Sequence, residues 1–75
     1  ELAEVRVRIP DQPGELAAAT TLASELSVNV YDIEVAHSAG GGRGNLILVV
    51  DARRADDLAA ALTARGRSAS VHPLA

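Results

Sequence analysis

His37 and His72 are the only imidazoles in the 75 residues, and cysteine is absent. Neither histidine has partners at metal-ligand spacing. Glu34 lies three residues from His37, which on a strand places the two on opposite faces. Without cysteine there is no thiol nucleophile, no disulfide and no thiolate zinc site. The serines fall outside any G-x-S-x-G turn, and no Ser–His–Asp set can be placed on one edge of the fold. The run Gly40-Gly41-Gly42-Arg43-Gly44 has the glycine content of a phosphate loop. It lacks the Lys-Ser/Thr ending and joins strand to strand, with no helix N-terminus to hold a phosphate. Asp56 and Asp57 favour the dipole of a helix they help to open, which is reason enough for them. Catalytic residues, a metal and a cofactor are therefore not expected in this domain.

A binding constellation remains. Asp11-Gln12-Pro13-Gly14-Glu15-Leu16 lies between a strand and a helix. The first N–H groups of that helix, near Gly14 to Leu16, have no intrahelical acceptor and carry the positive end of the dipole. Gly14 lacks a Cβ, so a ligand can come close to the backbone. Asn29 opens the following strand with an amide that both donates and accepts. Donors for a carboxylate, with Asp11 and Asn29 as acceptors for an ammonium, describe a free amino acid. The same N–H groups could instead be consumed by a cap from Asp11 or Gln12.

The elements that must position these residues follow from periodicity. Val5, Val7 and Ile9 alternate with Glu4, Arg6 and Arg8, which predicts a strand ended by Pro10. Pro13 suits a first helical turn, and Leu16, Ala19, Leu22, Ala23 and Leu26 form an apolar helical stripe. Val28 to Val35 has strand composition, and Ser38 to Gly44 predicts a loop. Asn45 to Asp51 is apolar on both faces, as in a central strand. A second helix begins at Asp51 or Arg53, buries Ala55, Leu58, Ala61 and Leu62, and ends at Gly66. Ser68 to Val71 forms a short last strand, closed by Pro73. The order βαββαβ, with right-handed crossovers and a hairpin between the middle strands, predicts a ferredoxin-like α+β sandwich. Its antiparallel sheet takes the order 4-1-3-2, with both helices on one face.

Composition bounds the class. Seventy-five residues allow one domain, spanning 1–75, in which only ~60% of the chain's surface is buried. Phe, Trp and Met are absent and Tyr occurs once, so Val, Ile, Leu and Ala must fill the core. A core this thin calls for a neighbouring protomer or the remainder of a longer chain. With Glu1 first and no Met, the sequence reads as a piece of such a chain. All positive charge is Arg, and the net charge is −3. This excludes the basic, aromatic-rich footprint of a nucleic-acid binder. No apolar run approaches a membrane span and no signal-peptide pattern opens the chain, which points to the cytoplasm.

The pattern Asp11-x-Pro13-Gly14-x-Leu16-Ala17, followed by Val28-Asn29-Val30, resembles the ACT domain family over Glu4 to Pro73. The resemblance implies a regulatory module that binds an amino acid and acts as a homodimer or higher homo-oligomer, with effectors held between protomers. It matches Asp11, Gly14, Glu15, Leu16, Asn29 and Val30 to ligand-contacting positions. Many family members carry Gly where Ser27 stands, so a left-handed backbone there would cost on the order of 1 kcal/mol. Asn29 to Ser38, then a glycine-rich loop and an apolar strand, is similar to the C-terminal ACT region of actinobacterial prephenate dehydrogenases. That similarity implies the tail of a tyrosine-pathway enzyme, with Tyr or Phe as effector and NAD bound elsewhere in the parent chain. A ligand-free dimerisation module and a free-standing ACT regulatory protein are the alternatives.

Overall fold

A computed structural model describes residues 1–10, 13–37 and 43–74, the side chains of 37 and 43 excepted. The elements are β1 (Leu2–Pro10), α1 (Glu15–Glu25), β2 (Val30–His37), β3 (Arg43–Asp51), α2 (Ala52–Ala64) and β4 (Ser68–Pro73). They form one antiparallel sheet in the order β2-β3-β1-β4, the expected order read from the other edge. This is the ferredoxin-like βαββαβ arrangement.

Alternation decides which face is covered. Val5, Val7 and Ile9 of β1 and Leu46, Leu48 and Val50 of β3 are buried with Ala19, Leu22 and Ala23 of α1 and Ala55, Leu58 and Leu62 of α2. Both helices therefore lie on one face, and aliphatic side chains alone make the core. The opposite face carries Arg6, Arg8, Asn45, Ile47 and Val49, of which Ile47 and Val49 are half-buried. Between α1 and α2, at the end where β1 finishes, a cavity of about 190 Å³ remains over Ile9, Ala19, Leu22 and Leu62. A core without Phe or Met has nothing long enough to reach into it.

Several boundaries differ from the sequence expectation for local reasons. β1 and β4 run through Pro10 and Pro73, each at a strand terminus, where a missing N–H costs the ladder least. β3 begins at Arg43 because Gly44 pairs with Ile9 and His37, so the hairpin shortens from the expected Ser38–Gly44. Residues 38–42 of that segment lie outside the described residues. β2 begins at Val30 rather than Val28, because the end of α1 takes up the preceding backbone. Val28 donates its N–H to the Ala23 carbonyl at 2.8 Å, and Ser27 donates to Ser24 at 3.0 Å. This two-bond closure places Ser27 at φ 58, in left-handed backbone. α2 closes in the same way, Arg67 donating to Leu62 and Gly66 to Thr63, with Gly66 at φ 83.

Candidate functional site

Gly14 is the N-cap of α1, with φ 88 and ψ −11. A glycine cap offers no side-chain acceptor. The intrahelical ladder starts with Ala18, which donates to the Gly14 carbonyl at 2.9 Å. The N–H groups of Glu15, Leu16 and Ala17 thus precede the ladder, at the positive end of the helix. A Cβ built on Gly14 would meet nothing within 4 Å, so the left-handed backbone, and not crowding, is what requires glycine here. Asp11 and Gln12, the candidate caps and, for Asp11, a candidate ligand contact, lie outside the described residues.

The Glu15 side chain faces α2 and β4. Arg67 donates from one terminal nitrogen to both Glu15 oxygens, at 2.8 and 3.0 Å. The pair spans the rim of the inter-helix cavity and ties the start of α1 to the segment before β4. Glu15 can still offer its backbone N–H to an anion. Leu16 is 42% exposed, outside the core stripe that sequence periodicity assigned to it.

Asn29 is exposed and Val30 half-buried, at the far end of α1 from Gly14. Eleven helical residues at ~1.5 Å each separate the two ends by about 16 Å. A single chain therefore brings Gly14, Glu15 and Leu16 together at one end and Asn29 and Val30 together at the other. A free amino acid cannot touch both groups within one chain.

β2 is an edge strand, paired only with β3 in this sheet. A bulge between Val30 and Asp32 sets Ile33 opposite Leu48 and Val35 opposite Leu46, on the helix-bearing face. The helices do not reach over them, and Ile33 and Val35 remain 42% and 38% exposed. Tyr31, at the bulge, is also exposed. This apolar edge was missed by composition and periodicity, which read Val28–Val35 only as a strand. Its signal was the β-branched pair Ile33 and Val35 alternating with the charged Asp32 and Glu34. Among the described residues no group of three or more His, Asp or Glu could hold a metal ion. No helix of the described residues is long and apolar enough to cross a membrane.

No family model matches the chain, and no curated protein matches it. Solved structures do. The regulatory subunit of aspartate kinase from Thermus thermophilus, in ligand-free form, superposes with a TM-score of 0.83 and 26% identity over 97% of this chain. The corresponding subunit from Thermus flavus gives 0.85 and 24%, again over 97% of the chain. This chain spans about half the length of those subunits, 51% and 52%. The ACT domain of a GTP pyrophosphokinase from Chlorobium tepidum gives 0.62 and 20%, covering all of this chain and 86% of that one. The fold is that of an ACT domain, and its structural neighbours include regulatory subunits.

Proposed function

We propose that this chain belongs to the ACT family and is a cytoplasmic, amino-acid-binding regulatory domain whose ligand site is completed by a second copy. The observation that carries the reading is the separation of Gly14 and Asn29 at opposite ends of α1. Antiparallel pairing of two β2 edges around a two-fold axis would align the Asn29 end of one strand with the far end of its partner. Each Asn29 would then stand beside the other copy's Gly14 turn. The exposed Ile33 and Val35 would be covered by the same step. The ligand carboxylate would accept from the N–H groups of Glu15 and Leu16. Asn29, with Asp11, would take the ammonium, and Leu16 and Val30 would flank the ligand.

The parent enzyme we propose is prephenate dehydrogenase of the tyrosine pathway, with Tyr or Phe as effector. The Asn29–Ser38 segment and the apolar strand after it support this assignment. A scaffold of the same fold without ligand is the competing reading. Thermal unfolding with each of the twenty amino acids separates the two. A ligand at a hundred times its Kd adds about 2.7 kcal/mol, which raises Tm by roughly 10 °C or more in a domain this size. Asn29→Ala should abolish most of that rise. No shift with any amino acid at millimolar concentration would leave the scaffold.

A further inference from the structure

The sheet face turned away from the helices holds a second group of donors. The register sets Asn45, Arg8 and Ser68 side by side across β3, β1 and β4. Opposed residues on one face have Cβ atoms about 5 Å apart, so the three span roughly 10 Å. One row along, about 7 Å away, Ser70 stands beside Arg6. These side chains line a shallow groove of about 370 Å³, whose β2 side is floored by Ile47 and Ala36.

The charges are sorted along the strands. Arg6 donates from Nε and a terminal nitrogen to one Glu4 oxygen, at 2.9 and 2.8 Å, which holds it towards the next row. That next row carries the acids Glu4 and Asp32, while Glu34 stands in the Arg6 row itself, opposite Ile47 at the β2 edge of the groove. The Arg8 row, by contrast, flanks its guanidinium with an amide and a hydroxyl. Ser70 Oγ lies 2.9 Å from His72 Nε2, so with the ring as donor the serine proton is left for an acceptor in the groove. A net charge of −3 over the chain makes a donor row of this kind a local reversal of sign.

We propose that this groove binds a dianionic oxyanion of the phosphate-monoester class, with Arg8 as the charged partner and Asn45, Ser68 and Ser70 as neutral donors. A planar carboxylate is satisfied by the guanidinium fork alone. A tetrahedral group with three free oxygens can take donors from three adjacent strands. Ile47 and Ala36 receive the organic body of the ester. The site lies on the sheet face opposite α1, so it does not depend on the amino-acid reading.

The test is a titration of the 15N-labelled 75-residue chain with inorganic phosphate, and then phenyl phosphate, at constant ionic strength. Amide shifts should concentrate at Arg8, Asn45, Ser68 and Ser70. Phenyl phosphate should add Ile47, and succinate should bind more weakly. Arg8→Gln should weaken phosphate binding about tenfold, the scale of a hydrogen bond to a charged group. Ser68→Ala, which removes no charge, should weaken it several-fold at unchanged Tm. Shifts confined to Glu15–Ala17, equal binding of succinate, or an affinity unaltered in Arg8→Gln would each overturn the proposal.

Discussion

The Val28 amide donates to the Ala23 carbonyl at 2.8 Å, and that bond closes α1 over a serine in left-handed backbone. α2 ends with the same two bonds around Gly66. The two helices thus compare one closure with two residues. A left-handed conformation costs a non-glycine residue roughly 1–2 kcal/mol, partly offset by the extra chain entropy that glycine loses on folding. Ser27→Gly should therefore stabilise the domain by about 0.5–1 kcal/mol, raising Tm by several degrees. Gly66→Ser should lower it by a similar amount. Paired thermal melts check both, and no gain in Ser27→Gly would mean that the Ser27 strain is compensated elsewhere.

Glu15 and Arg67 supply a second test. The carboxylate is 17% exposed and the guanidinium 34%, so water screens the pair only partly. Glu15→Gln keeps one acceptor for Arg67 and should cost about 0.5–1 kcal/mol, the upper range for a surface ion pair. In our reading Glu15 meets a ligand through its backbone N–H, which the substitution preserves. Calorimetry should then give an amino-acid affinity within about twofold of the parent chain. A larger loss would place the carboxylate itself against the ligand.

Much of this was legible in the sequence, and what was missed has one physical origin. Alternation at Val5, Val7 and Ile9 and the apolar run Leu46–Val50 report burial directly, so β1 and β3 could be read from them, and the order of elements with right-handed crossovers then gave the sheet order. Gly66 could be placed because a helix end favours a residue that tolerates left-handed backbone, whereas Ser27 was singled out only by the family resemblance. The ends of β2 and β3 could not, since they depend on which hairpin residues find partners across the sheet. Leu16 shows the same limit on a helix: periodicity assigned it to the core, yet it lies on an exposed flank. The candidate ligand contacts near Gly14 and Asn29 could be named from their residue types. Their separation, about 16 Å, is set by the eleven residues of α1.

Asp51 makes stability depend on pH in a defined direction. Its carboxylate caps α2, accepting from the Arg53 backbone N–H at 2.9 Å. That backbone bond, then the Arg53 guanidinium, holds the carboxyl below its ordinary value of 3.8. The native state therefore binds this proton less readily than the unfolded chain does. The contribution is complete above the unfolded value and is lost as the pH falls through the lower native one. Asp51→Asn keeps a capping oxygen but removes the titration. Urea midpoints of the two proteins should differ most near neutrality and converge at acid pH. A difference that persists unchanged below pH 3 would refute the linkage.

The β2 edge carries the proposed assembly, and a charge placed in it tests assembly and ligand site together. Ile33 is exposed in the single chain, so Ile33→Lys should change its stability by about 0.5 kcal/mol or less. A lysine on an unpaired edge opposes strand addition, so sedimentation should show a monomer where the parent chain is a dimer. Amino-acid binding should fall with it if, as proposed, Gly14 and Asn29 of one site come from different copies. Mixing two defective chains tests whether the site is shared. Chains carrying Asn29→Ala have intact Gly14 turns, and chains carrying Gly14→Val have intact Asn29 side chains. Neither binds alone, but a mixed dimer holds one complete site and one doubly broken site. Random pairing of equal amounts gives half mixed dimers with one site in two complete, about a quarter of the parent capacity. Recovery of that fraction by calorimetry requires a site shared between copies, whereas no recovery on mixing would confine it to a single chain.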